Sequence, residues 1–331
     1  MIRSILWLML MLLIWSCSEG PTEANRTYQR LGLGIDHFER VVVSDSAIII
    51  SGGVFGVYEQ KPSYTGPWTF LGLSFPERQF GDFRGGVRCA ITLSRGGVLA
   101  GIHPAVTDTA VVYARLGPDG WFPRSVGLPR GIVYDLIEST SRHFVSMTSS
   151  GVYVSVDNGI SWELRFRVSS ALGGTLYRSN RGVYAGGQTL NETPFLIFTP
   201  DEGATWTGVD VSGLAGKGIV SIATGPQDSL MLAATELELF RRCGTEPFVA
   251  IHESGPRGVV SVNPGDPKSV AFLADSVAVS DDQGDTWSTT ALPGPAYGRG
   301  TVDWERSIIV VPILESDGGM LYSLDLPGDG P

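Results

Sequence analysis

The segment Ser155-Val156-Asp157-Asn158-Gly159-Ile160-Ser161-Trp162 recurs as Thr199-Pro200-Asp201-Glu202-Gly203-Ala204-Thr205-Trp206 and again as Ser280-Asp281-Asp282-Gln283-Gly284-Asp285-Thr286-Trp287. Its chemistry is that of a tight hairpin turn. An aspartate can accept backbone N–H groups across the loop, glycine takes a positive φ, and the indole packs beneath. Short apolar runs flank each copy. In the third unit they are Val133–Glu138, His143–Thr148, Gly151–Val156 and Trp162–Phe166; in the sixth, Val259–Val262, Val270–Ala274, Val277–Ser280 and Trp287–Leu292. Trp68, Trp121, Trp162, Trp206, Phe248 and Trp287 mark successive units about 40 residues apart. Four short strands at that period predict the blades of an all-β propeller.

The count predicts seven blades. A last unit reads Gly300–Trp304, Ser307–Val311 and Met320–Leu324 and lacks a fourth strand. Near the other end, Tyr28-Gln29-Arg30-Leu31-Gly32-Leu33 is similar to the fourth strand Trp68-Thr69-Phe70-Leu71-Gly72-Leu73. The N-terminal strand is therefore expected to complete the last blade, which protects strand edges that would otherwise pair with other chains.

Composition agrees. The 331 residues include 43 Gly and 20 Pro, 43% are hydrophobic and 18% charged. Such a chain buries a core, but so many helix breakers exclude a mostly helical protein. The net charge of −10 speaks against nucleic acid as a partner, because a polyphosphate backbone repels an acidic surface.

The first residues read as an export signal. Met1-Ile2-Arg3-Ser4 is followed by the apolar run Ile5–Trp15, eleven residues that span only about 16 Å as a helix against a bilayer core of ~30 Å. The run ends in Ile14-Trp15-Ser16-Cys17, which resembles a bacterial lipobox. That resemblance implies a signal peptide over 1–16, a lipidated Cys17, a tether over 17–26 and one propeller domain over 27–331. The protein would then be exported and lipid-anchored at the bacterial cell envelope, or secreted if the signal is a plain one. The remaining cysteines, Cys89 and Cys243, fall in opposite blades and read as separate, partly buried thiols. The four histidines are scattered, so neither a metal nor a cofactor is expected.

The repeated turn resembles the Asp-box, or bacterial neuraminidase repeat, at each of its defining positions: Asp157, Gly159 and Trp162; Asp201, Gly203 and Trp206; Asp282, Gly284 and Trp287. That resemblance implies a structural role for the turns and a functional surface at the opposite end of the propeller. A second repeat occupies that end. Arg84-Gly-Gly-Val, Arg130-Gly-Ile-Val, Lys217-Gly-Ile-Val, Arg257-Gly-Val-Val and Arg299-Gly-Thr-Val each precede a first strand, and Arg40-Val-Val is a looser counterpart. Unit four has no match. Aligned blades would set these cations around one mouth of the central channel, where an anionic ligand would relieve their repulsion; salt bridges between blades would serve equally. Tyr134, Tyr297, Phe38 and Trp304 fall near the same mouth, with core packing the simpler role for each.

Propellers of the Asp-box kind include sialidases, xyloglucan-active glycosidases, sortilin-type receptor domains and photosystem II assembly factors. In length, anchor, box positions and basic connections the chain is most similar to the last of these. It departs from them in its second strands, with Gly182-Val-Tyr-Ala-Gly-Gly187 where a Gly-Trp-x-x-Gly pattern is usual. The reading is a non-catalytic propeller that binds a protein or glycan, anionic in character, at the cell envelope. Glycoside hydrolysis on the same face is the alternative. It would require either a carboxyl pair across the cleft or three arginines with a Tyr–Glu pair. Asp135 with Glu138, and Asp303 with Glu305, are the acids on first strands, expected to face solvent.

Overall fold

The structure, a computed structural model, describes residues 28–61, 63–75, 86–104, 111–139, 143–214, 217–253 and 258–326. Within them the chain forms seven four-stranded antiparallel sheets. The first strands are Arg40–Val43, Gly86–Thr92, Val133–Glu138, Ala171–Arg178, Ile219–Thr224, Val259–Val262 and Thr301–Asp303. They pack against one another in succession around a central channel, and the seventh closes on the first. In blades one to six each later strand lies one step further out.

Every sheet is covered on both faces by its neighbours, which is why inner strands are apolar without alternation. Ile48–Ser51 and Gly151–Ser155 are buried at every position, whereas the outer strand Glu163–Arg167 is exposed at every second residue. The core accordingly lies between blades. Leu99, Ile102 and Val112 of the second blade pack with Val133, Leu136 and Phe144 of the third.

The seventh sheet runs Gln29–Ile35, Gly318–Asp325, Ile308–Glu315, Thr301–Asp303 from outside to inside, so the N-terminal strand closes the ring as the sequence predicted. Gln29 pairs with Ser323 and Ile35 with Gly319. Leu31 and Leu33 bury their side chains, and Trp68 of blade one donates its indole N–H to the Leu31 carbonyl at 2.8 Å. Arg30 donates to the Tyr322 hydroxyl at 2.9 Å and pairs with Glu315. Further in, Tyr64 of blade one reaches the Asp303 carboxylate of blade seven at 2.8 Å. Asp303 is itself buried, a correction to its expected exposure.

The three repeated turns have one geometry. Asp282 Oδ1 accepts the Ser280 hydroxyl (2.7 Å) and the Thr286 N–H (2.8 Å), and Oδ2 accepts the Thr286 hydroxyl (2.7 Å). Ser280 Oγ takes the Gly284 N–H at 2.7 Å, and Trp287 donates to the Gly284 carbonyl at 3.1 Å. Asp157 and Asp201 repeat the pattern with Ser161 and Thr205. Hydrogen bonds, led by the Thr199 hydroxyl at Asp201 and the Thr286 hydroxyl at Asp282, hold both carboxyls at about 2. Two successive left-handed residues make each bend, Glu202 with Gly203 and Gln283 with Gly284.

Each turn also staples its blade to the one before. A Cβ on Gly203 would lie 2.5 Å from Val154 of blade three, and one on Gly284 would lie 2.6 Å from Ile251 of blade five. Trp162 donates to the Arg124 carbonyl of blade two at 2.8 Å.

The first strand of blade four, Ala171–Arg178, carries no continuous apolar run. Gly174 in that strand makes room for Met147 of blade three, to which its Cβ would come within 2.5 Å. The glycines that permit this approach remove the apolar run by which other first strands are recognised. Outer strands are only two residues long in blades two and four, at Phe122–Pro123 and Thr207–Gly208. Pro123 brings no N–H to a ladder. The cysteines are free, but unequal: Cys89 is buried in blade two, its thiol pushed up to about 12 by burial, and Cys243 is exposed in blade five.

Candidate binding site at the channel mouth

Strands alternate in direction, so the turns after first and third strands share one end of the ring. The turns after second strands and the connections between blades share the other. The aspartate turns belong to the first end. The second end carries the channel mouth where the basic connections enter, and its centre is built by two of the predicted cations and one that was missed.

Arg40 opens the first strand of blade one, and Arg299 precedes that of blade seven. Their backbones form a parallel bridge, with the Val41 N–H donating to the Arg299 carbonyl at 2.9 Å and the Arg299 N–H to the Glu39 carbonyl at 3.1 Å. Both side chains line two cavities of the channel. One, of about 200 Å³, also takes in Glu39, Arg88, Tyr134, Leu172 and Glu236. The other, of about 140 Å³, takes in Thr175, Val220, Ser221 and Thr301.

Arg40 reaches across the channel to Asp135 of blade three and forms an ion pair with it. Asp135 is fully buried, not solvent-facing as its place in a strand suggested. Its oxygens are committed further: Oδ1 accepts the Leu136 N–H at 2.8 Å, and Oδ2 accepts the Leu176 N–H of blade four at 2.8 Å and the Thr175 hydroxyl at 3.4 Å. Three blades thus converge on one carboxylate. Burial opposes the charge on Arg40, but Asp135 outweighs it and the guanidinium pKa is raised.

Arg88, within the first strand of blade two, donates to Glu39 Oε1 at 2.8 Å, the same oxygen that His37 Nε2 meets at 2.9 Å. Arg299 differs. Among the described residues its guanidinium makes no side-chain hydrogen bond or salt bridge. Burial, with Arg40 and Arg88 nearby, pulls its pKa down to about 10. Asp135 and Glu39 offset this only in part, and a cation in a confined site is costly unless paired, so the mouth is poised for negative charge.

Of the other predicted cations, the two that are described do not join this centre. Lys217 pairs with Glu238 and sits 4.9 Å above the Phe240 ring, within its own blade. Arg130 is exposed and lines neither cavity. Arg84 and Arg257 lie outside the described residues, as does Cys17. Of the aromatic residues, Tyr134 lines the larger cavity, with its hydroxyl given to the Ala171 carbonyl at 2.8 Å. Phe38 is wholly buried, Trp304 donates to Ser261 at 2.8 Å, and Tyr297 to the Asp36 carbonyl at 2.9 Å. Arg88 escaped sequence reading because it lies inside its strand, outside the recurring Arg-Gly connection.

Beside the mouth, blades four and five expose three leucines. Leu172 is 52% accessible, Leu190 58% and Leu237 65%. Leu172 is the bulged residue opposite Gln188 and Thr189, which sets it next to Leu190, and Leu237 follows the mouth residue Glu236. At the opposite end a cavity of about 700 Å³ is lined by Val43, Asp45, Ile91, Leu93, Glu138 and Arg178. Both Glu138 oxygens are occupied there, by the Ser94 N–H and hydroxyl at 2.7 Å each. Among the described residues, no cluster of His, Cys, Asp and Glu could hold a metal ion, and no helix is long and apolar enough to cross a membrane.

No protein-family model matches the sequence, and no curated protein matches it. Solved structures do match in fold. Virginiamycin B lyase from Staphylococcus aureus superposes with a TM-score of 0.67 at 14% identity, over 91% of this chain and 99% of that one. YCF48 from Cyanidioschyzon merolae gives 0.62 at 14% identity, over 92% and 99%, and YCF48 has also been solved bound to a D1 peptide. The GH74 xyloglucanase from Xanthomonas campestris gives 0.64 at 14% identity, over 91% of this chain and 54% of that one. Identities this low establish a shared propeller and leave activity open.

Proposed function

We propose that this protein is a non-catalytic propeller of the Asp-box kind that binds a partner at the cell envelope through its basic channel mouth. The partner is a protein or glycan presenting negative charge, and an acidic protein segment suits the site best. One observation carries this reading: among the described residues Arg299 has no hydrogen-bonded or salt-bridged carboxylate of its own, while Asp135 and Glu39, which act on it at longer range, are already committed to Arg40 and Arg88, and the mouth is bordered by exposed leucines. Guanidinium groups supply strong, oriented bonds to carboxylates, and the leucines supply apolar area of the sort that marks interaction surfaces. YCF48, a propeller of the same fold, is known with a bound peptide, which supports peptide recognition on such a scaffold. By the resemblance of its repeats and leader to photosystem II assembly-factor-like lipoproteins, we propose the same topography: a signal peptide over 1–16, a lipid on Cys17, a tether over 17–26 and one propeller over 27–331.

The test is photo-cross-linking in native envelopes with a reactive amino acid at position 172. An adduct at that position that disappears with Arg88→Glu and Arg299→Glu supports the reading. An adduct indifferent to both reversals contradicts it. Lipid labelling that is lost in Cys17→Ser tests the anchor separately.

Glycoside hydrolysis is the second reading, because three arginines and the carboxylates of Glu39 and Glu236 line one cavity. Against it, the Tyr134 hydroxyl is given to a backbone carbonyl, and Glu39 is held by Arg88 and His37, so these cavity residues assemble no Tyr–Glu pair. Turnover of fluorogenic sialosides or glucans by the purified protein would reverse the ranking.

A further inference from the structure

We infer that the channel seats a free tetrahedral oxyanion, of the phosphate or sulfate class, against Arg299 where the two cavities meet. The seat rests on the same Arg299 as the docking reading, so a free ion and a partner's carboxylate would compete for it.

The argument begins with the backbone. The bridge between residues 40 and 299 fixes two arginines side by side, and both line both cavities. Arg40 has its own carboxylate, and Asp135 has no capacity left, since it already serves Arg40, two backbone N–H groups and Thr175. Arg88 has Glu39. Arg299 is left as a full charge with no hydrogen-bonded or salt-bridged partner among the described residues, in walls that include Val41, Val220 and Val259. Burial and the neighbouring arginines already strain the cationic form, with the pKa brought down to about 10.

Shape and donors favour an oxyanion over a halide. A planar guanidinium presents two parallel N–H groups that match two oxygens. Hydroxyls line the same small cavity at Ser221 and Thr301. Ser221 Oγ accepts the Val260 N–H at 3.2 Å, which leaves its own proton to donate. The cavity of about 140 Å³ is several times the ~30 Å³ share of one water molecule, so it admits such an ion.

The test uses the purified full-length protein at fixed ionic strength, with sodium phosphate exchanged against sodium chloride. The melting temperature is expected to rise with phosphate and to saturate, as for any ligand that binds only the folded state. Arg299→Gln should lose that dependence while melting, in phosphate-free buffer, no lower than wild type, because it removes a cation that burial and two neighbouring arginines disfavour. Arg165→Gln, on an outer strand, should keep the dependence. Equilibrium dialysis with labelled phosphate should find one ion per wild-type chain and none in Arg299→Gln. Indifference of the wild type to phosphate in both measurements, or retention of binding in Arg299→Gln, would overturn the seat. An equal effect from sodium acetate would overturn its assignment to a tetrahedral ion. Cross-linking at position 172 reports on the partner and dialysis on the ion, so either proposal can fail alone.

Discussion

Arg40 and Asp135 stand 95 positions apart in sequence and meet across the channel, where Asp135, fully buried, binds blades one, three and four together. Removing one member strands the other. Arg40→Met is expected to destabilise the fold by about 3–5 kcal/mol, the cost of a buried charge left alone. Replacing both members with apolar residues of similar volume should recover only part of that loss, because the Leu136 and Leu176 N–H groups then lose their acceptor. Chemical denaturation of the two single variants and the double variant measures the coupling; strict additivity would show that the pair does not act as one unit.

The closing strand provides a second prediction. Trp68→Phe deletes the indole donor to the Leu31 carbonyl and should cost about 1–3 kcal/mol, the range for a buried acceptor left unsatisfied. Deleting residues 27–34 should open the ring altogether, seen as a collapse in thermal stability. A truncated chain that melts with the full one would refute the closure.

The aspartate turns link stability to acid. Asp201 and Asp282 are held at about 2, below the usual 3.8. A carboxyl with a depressed folded-state pKa contributes its stability above the unfolded value, and loses it as pH falls through the folded one. The turns should therefore weaken between pH 4 and pH 2. Asp282→Asn should lower stability at pH 7 and flatten the fall over that window, as followed by melting at stepped pH.

Gly203 is demanded twice, by its φ of +94° and by Val154 of the preceding blade. Gly203→Ala should cost about 1–2 kcal/mol from the left-handed backbone alone, and more from the clash. Adding Val154→Ala should relieve the second part and leave the first. If that second substitution gives no relief, the turn is not stapled to blade three.

How far the sequence announced all this depends on the range of the forces involved. The turns around Asp157, Asp201 and Asp282 are local, eight residues each, so their chemistry repeats in the text and reveals the period. The closing strand was legible because Leu31 and Leu33 repeat the pattern of Leu71 and Leu73. Asp135 was misread because its own strand offers it only the Leu136 N–H; its cation comes from blade one and its other donors from blade four. The even ring of cations was legible only in part. Arg40 and Arg299 do reach the channel, but Lys217 finds Glu238 and Phe240 first. Arg88, which shares a strand with buried apolar residues, carries no motif at all.

The central claim is that function resides at the arginine mouth and the repeated turns serve as scaffold. Hydrogen–deuterium exchange on the protein with its cross-linked partner tests this most directly. The account predicts new protection at residues 172–174, 190–193 and 236–237, with the turns at 157–162, 201–206 and 282–287 unchanged. Protection of those turns, with the mouth left as in the free protein, would contradict it.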